Sequence, residues 1–145
     1  MIQINYPKHD FKIREDNKVP FIFDELRKTW LKLTPEEWVR QNFVQYLIRV
    51  KHYPSAYIAV EKQLKLGELV KRFDLLVYDK AHKPFMMIEC KAMQVKLDEK
   101  VMHQVLTYNI SVPVPYLIIT NGVYCMGISR KEQDVRWLNE IPDHH

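Results

Sequence analysis

Two short runs constrain this chain more than any other part of it. Lys71 to Tyr78 and Met86 to Ala92 are apolar enough to be buried on both faces, yet each carries charged residues inside it. Strands of that kind are covered on both sides, so a charge within them must be paired, must bind a metal or must lie at a strand end. Side chains two apart on a strand share a face, so Glu89 and Lys91 project together. On the neighbouring run, alternation puts Phe73, Leu75 and Val77 on one side and Arg72, Asp74 and Leu76 on the other. Direct pairing of the two strands sets Asp74 beside Glu89, so that two carboxylates and an ammonium point at one place.

Hard oxygen donors of this kind suit Mg²⁺, which takes one or two protein carboxylates and fills its other positions with water and phosphate oxygens. Mn²⁺ is able to substitute, and the backbone carbonyl of Cys90 offers another oxygen. The matching chemistry is phosphodiester hydrolysis, with the metal as Lewis acid and activator of water. Lys91, a compact charge on a flexible stem, is suited to hold the water or the scissile phosphate.

Asp74, then Glu89-x-Lys91, then Gln104-x-x-x-Tyr108 resembles the PD-(D/E)xK nuclease superfamily, and specifically the N-terminal nuclease domain of type I restriction enzyme R subunits. The similarity runs from about Asp24 to Gly122. It includes Thr34-Pro35-Glu36-Glu37-Trp38-Val39-Arg40-Gln41, Tyr53-Pro54, Lys71-Arg72-Phe73-Asp74, Ile88-Glu89-Cys90-Lys91 and Thr120-Asn121-Gly122. Phe73 stands where the superfamily has Pro, a position that supplies no ligand. The resemblance implies that Asp74 and Glu89 bind the metal, that Lys91 assists the water, and that Gln104 and Tyr108 support DNA binding. It also implies an acid near the metal from the first helix, Glu36 or Glu37. The implied partners are DNA and a helicase/translocase or specificity subunit. R subunits of that kind continue into a helicase motor, and coupling to translocation does not carry over to the nuclease-like unit.

The expected fold class is α/β (α+β), a restriction-endonuclease-like core with helix, three-stranded meander, helix and two strands around a central mixed sheet. At 145 residues, 47% hydrophobic and with only three Gly, the chain reads as one domain, 1–145. Within it, 1–33 reads as an N-terminal extension, 34–129 as the core and 130–145 as a polar tail with a short helical stretch at Val135 to Leu138. The extension reads as an arm or edge strand up to about Val19, with a short helix over Phe21 to Leu33. Thr34-Pro35-Glu36-Glu37 is the firmest start signal: an N-cap, Pro at the first helical position and Glu at the third. Val39, Phe43, Tyr46, Leu47 and Val50 follow at helical spacing, and Tyr53-Pro54 ends that helix.

The strands are Tyr57 to Leu66, Leu69 to Tyr78 and Phe85 to Ala92. Asp98 caps a second helix reaching about Ile110, stopped by Pro113 and Pro115. Two further strands, Tyr116 to Thr120 and Val123 to Ile128, flank a two-residue Asn121-Gly122 turn. Nothing resembles a signal peptide, and the most apolar stretch, Val112 to Ile119, is short and broken by prolines, so a soluble, cytoplasmic protein with no membrane partner is expected. Both cysteines are expected to be reduced, and no Cys/His set has zinc spacing. A net charge of +4 is compatible with a polyanionic partner without identifying one.

Several residues have two readings. Glu37 serves as the capping acid for Thr34 or approaches the metal; Arg40 and Gln41 meet phosphate or are solvated; Arg72 pairs with Asp74 or contacts DNA. Gln104 and Tyr108 share a helix face, whose alternative is a core Tyr108 with a solvent-facing Gln104. Glu61 lines the cleft or faces water. Trp30, Trp38, Tyr46, Tyr53 and Tyr57 suit core packing better than a base-stacking platform. The functional reading is a metal-dependent DNA endonuclease, with a homodimer or a recruiting partner expected for double-strand cleavage. Its alternatives are a non-catalytic DNA-binding or assembly module and a nuclease acting on RNA or branched DNA.

Overall fold

A computed structural model describes residues 1–109, 112, 114–131 and 134–145, apart from the side chains of Leu66 and Tyr108. Its centre is a mixed sheet. The meander β5 (Ile58–Leu66), β6 (Leu69–Tyr78) and β7 (Pro84–Cys90) is antiparallel, and β7 then runs parallel to β8 (Tyr116–Thr120). That parallel step needs a crossover, supplied by α2 (Glu99–Tyr108). β9 (Tyr124–Ser129) returns antiparallel to β8, and its far side is taken by β1 (Ile2–Gln3) and β10 (Arg136–Trp137). The spatial order is β1-β9-β8-β7-β6-β5, with β10 beside β9.

The unbroken apolar strands are explained by two covered faces. Leu75, Val77, Met86, Ile88 and Ile118 pack with Val39, Phe43, Val44 and Leu47 of α1 (Pro35–Arg49). Their alternates Leu76, Met87, Leu117 and Ile119 pack with Met102 of α2. Thr34 caps α1 by accepting from the Glu37 N–H at 3.1 Å, and Asp98 caps α2 by accepting from Val101 at 2.9 Å. Cys90 and Cys125 are free and buried, each paired with Thr120 on opposite sides of β8. Burial pushes the Cys125 thiol up to about 12, and that of Cys90 well up, so neither is a ready nucleophile.

Four expectations are corrected. Residues 21–33 form no helix: β2 (Ile13–Asp16), β3 (Val19–Asp24) and β4 (Thr29–Lys32) make a separate three-stranded antiparallel sheet. The Asn17-Lys18 turn, with φ of 49° and 66°, has the two left-handed residues of a tight hairpin, and that geometry fixes the first pairing. The Val135 to Leu138 stretch is likewise extended, because Arg136 and Trp137 pair with Ser129 and Ile128. The β8–β9 turn sits one residue further on than expected: the Asn121 N–H bonds the Tyr124 carbonyl at 3.2 Å, leaving Gly122-Val123 at the tip. The Asn121 side chain instead accepts from the Val123 and Tyr124 N–H groups, and Gly122 alone has the positive φ, 90°. Finally, Phe73 packs with Leu76 and not with Leu75, because β5–β6 pairing is interrupted opposite Asp74, where Glu61 has φ 50°.

The expected end of the second helix at Ile110 and its stop at Pro113 lie outside the described residues. Among the described residues no helix is long and apolar enough to cross a membrane.

Candidate functional site

The β6–β7 pairing sets Leu75 against Ile88, Leu76 against Met87 and Val77 against Met86. One residue beyond the last of these pairs on each strand come Asp74 and Glu89, whose carboxyl groups are neighbours. The neighbouring strand does not close over this point, since the Glu61 and Asp74 positions are skipped in an otherwise continuous β5–β6 ladder. Asp74 accepts the Cys90 N–H at 2.8 Å, which fixes its carboxylate against the end of β7. The Lys91 N–H donates to the Thr120 carbonyl at 2.7 Å and holds the strand end against β8.

Burial, and then the Asp74 charge beside it, push the Glu89 carboxyl up to about 7, while the Lys91 ammonium works in the opposite direction. Two carboxylates near enough to share a proton, with a lysine reaching the same point, form an electrostatically frustrated cluster that a further cation would relieve.

An open cleft of about 310 Å³ lies over this cluster. Arg72, Glu89 and Lys91 form its sheet side, and Val101, Gln104, Val105 and Asn109 form its α2 side. Gln104 thus faces the same space as Glu89 and Lys91. Asp74 does not line the cleft. Tyr108 lies on α2, but its side chain is outside the described residues. Arg72 is 61% exposed at the side chain and donates to Glu61 at 2.8 Å, so its partner is Glu61 and not Asp74.

Arg40 and Glu37, expected to serve the site, are not among the residues that line the cleft, and their side chains are held in an ion-pair cluster. Arg40 is 3% exposed, and its guanidinium bonds Glu37 through Nε at 3.1 Å and Asp24 through Nη2 at 2.9 Å. The Glu37 carboxylate also accepts from Gln41 at 2.9 Å, and Gln41 is itself buried. The Thr34 N–H goes to the Lys32 carbonyl, so Glu37 does not complete a capping box; the guanidinium is the stronger partner. Asp24 gathers Arg27 Nε at 2.8 Å and the Leu26 and Arg27 N–H groups as well. Arg27 then reaches Glu61 at 3.3 Å. Ion pairs thus run from Arg72 at the cleft edge through Glu61, Arg27 and Asp24 to Arg40 in α1. Glu36 is exposed at the start of α1.

Sequence reasoning missed Asn109 and Arg130. Asn109 ends α2, is 1% exposed, donates through Nδ2 to the Val105 carbonyl, and has no partner among the described residues for its buried Oδ1 while lining the cleft. An Asn at a helix C-terminus was the available signal. Arg130 donates to the carbonyls of Asn109, Val112 and Val114 at 3.2, 3.0 and 2.9 Å, bracing the end of α2. Nothing in its local sequence points there.

Among the described residues no group of three or more His, Cys, Asp or Glu side chains converges as a metal site. A divalent ion would depend on Asp74 and Glu89, with the Cys90 carbonyl, water and substrate oxygens completing its shell. That donor set fits Mg²⁺ or Mn²⁺ and not zinc.

No curated protein matches the chain. A family model described as "Type I restriction enzyme R protein N terminus (HSDR_N)" matches residues 35–142. That span opens with the first residue of α1 and takes in the whole central sheet except β1, together with every residue lining the cleft. The three-stranded sheet β2–β3–β4 lies outside it. The chain therefore belongs to the family of type I restriction enzyme R protein N-termini, and its role is nuclease-related.

Proposed function

We propose that this protein is a metal-dependent DNA endonuclease of the PD-(D/E)xK type, with Asp74, Glu89 and Lys91 as its catalytic residues. The observation that carries this reading is the frustrated cluster: a half-buried Glu89 beside Asp74, with Lys91 reaching the same point, open to a cleft walled by α2. A structural ion-pair cluster would balance its charges, whereas this one holds two acids against one base.

Asp74 and Glu89 would hold the ion, and bound Mg²⁺ supplies Lewis acidity and lowers the pKa of a water it carries. The Asp74 carboxylate is kept in place by the Cys90 N–H, so it needs little reorganisation. Lys91 would orient the attacking water or neutralise the phosphate, acting as a point charge. Gln104 and Arg72 would position the sugar-phosphate backbone from opposite walls, Arg72 by leaving Glu61 for a phosphate. Tyr108 would assist on the same helix. Double-strand cleavage by one such site would call for a second copy or a recruiting translocase or specificity subunit, in a cytoplasmic restriction-modification setting.

The test is nicking of supercoiled plasmid at low salt by wild type and Glu89→Ala, each with Mg²⁺, Mn²⁺ or EDTA. Metal-dependent nicking lost in the variant, with DNA binding retained, is the expected result. Lys91→Ala should bind the metal and fail to turn over. DNA binding without cleavage by wild type under every condition would replace this reading with a non-catalytic DNA-binding module. Preferential cleavage of RNA or branched DNA would keep the enzyme and change its substrate.

A further inference from the structure

The outer face of the small sheet β2–β3–β4 alternates cations with aromatic rings. Cross-strand pairing sets Arg14, Phe21 and Lys32 in one row. Lys12, Phe23 and Trp30 form the next, with the Phe23 N–H on the Lys12 carbonyl. The three cations are exposed and the three rings half-buried. The opposite face carries the buried Ile22 and Asp24 and is tied to α1 through the Asp24–Arg40 ion pair. The aromatic face therefore looks outward.

The rings and cations are already in register. The Arg14 guanidinium lies 4.3 Å from the Trp30 ring centre, and the Lys12 ammonium lies 5.5 Å from that of Phe23. Phe23 and Trp30 meet edge to face at 5.3 Å. Asp16 is the acid on this face, in a third row at the hairpin tip.

We propose that this face is a binding platform for single-stranded nucleic acid, separate from the cleft and from the span that the family model matches. Three cations beside three rings match a polyanion whose bases have exposed faces, since rings take the bases and ammonium or guanidinium groups take the phosphates. Successive rows on one strand face are roughly 6.7 Å apart, about twice the 3.4 Å base spacing of a stacked strand, so bases meeting rings of successive rows would be splayed from one another. Base faces in a duplex are covered by their neighbours, so a duplex would meet only the charges. The guanidinium over Trp30 is itself a planar cation on which a base would stack.

The test is fluorescence anisotropy of labelled oligothymidylate with the full chain, in EDTA, across a salt series. Trp30→Ala should weaken binding by about tenfold or more. The double variant Arg14→Gln/Lys32→Gln, at two exposed positions, should weaken it and flatten the slope of log affinity against log salt by about 1.4. Unlabelled duplex of equal length should compete poorly, and comparison with oligouridylate tells DNA from RNA as the preferred source. Wild-type binding by the double variant, or competition by duplex as strong as by single strand, would overturn the platform. Should Trp30→Ala fail to fold, the double variant decides. Because these measurements exclude metal, a protein that binds through this face and cuts no plasmid sinks the nuclease reading and keeps this one.

Discussion

Replacing Glu89 by Gln should make the metal-free protein more stable at alkaline pH. The Glu89 carboxyl is raised from its ordinary 4.5 to about 7, first by burial and then by the Asp74 charge, against the pull of Lys91. A raised carboxyl binds its proton more tightly in the folded state, so its stabilising contribution is complete below 4.5 and is lost as pH rises through about 7. The gap between those values corresponds to roughly 3 kcal/mol by pH 8. Gln keeps the size and hydrogen-bonding capacity of the protonated acid and never acquires the charge. At pH 8 in EDTA, Glu89→Gln should therefore melt about 6–12 °C above wild type, while at pH 4.5 the two should melt close together. Mg²⁺ should raise the wild-type Tm at pH 8 by neutralising the same repulsion, and should raise that of the variant much less. Differential scanning calorimetry at the two pH values, with and without Mg²⁺, reads all of this. A Glu89→Gln variant that melts at or below wild type at pH 8 would show that Glu89 is comfortably ionised, and the electrostatic argument for a cation site would fall with it.

Asp24→Ala should cost about 3–5 kcal/mol in chemical denaturation, because it strips the buried Arg40 and half-buried Arg27 of a shared partner. Burial works to raise the Asp24 carboxyl, but the Arg27 hydrogen bond and the Arg40 charge outweigh it and hold the group below its ordinary 3.8, so the difference from Asp24→Asn should shrink as pH falls below that value. Arg130→Ala should destabilise by about 2–4 kcal/mol by leaving three carbonyls at the end of α2 without their donor, and hydrogen exchange should quicken there first. Gly127→Ala should cost about 1–3 kcal/mol in thermal unfolding, since its Cβ would fall 2.6 Å from Ile118 Cδ1 and 2.9 Å from Leu138 Cδ1.

The central sheet and the strand ends that bring Asp74, Glu89 and Lys91 together were legible because both depend on strand pairing and alternation, which are local. Asp74, Glu89 and Lys91 needed only the pairing of two adjacent strands, and Gln104 only a helix face directed by Asp98. The start of α1 was written in Thr34-Pro35-Glu36-Glu37. What was not legible depends on partners distant in sequence: Arg40 is buried because Asp24, sixteen residues earlier, turns back onto α1. Residues 21–33 misled because Phe21, Ile22 and Phe23 are consecutive apolar residues, which periodicity alone does not assign to a strand or a helix. The signal that would have corrected it was the Asn17-Lys18 turn. Of the two readings of Arg72, pairing with Asp74 gives way to pairing with Glu61 on the neighbouring strand, and contact with DNA stays part of the proposal.

β9 receives β1 on one stretch of its outer edge and β10 on the other, so that edge is sealed by two-residue strands from opposite regions of the chain. During synthesis β9 emerges before β10, and until β10 docks the backbone of Ile128 and Ser129 remains available to another chain. The tail is then locked by the Tyr53 hydroxyl on the Pro142 carbonyl and by the Lys80 N–H on the His145 carbonyl at 2.7 Å. Trimming the chain back to residue 135 would leave the cleft residues in place and reopen that edge, so loss of the tail should appear first as self-association and only later as lost chemistry.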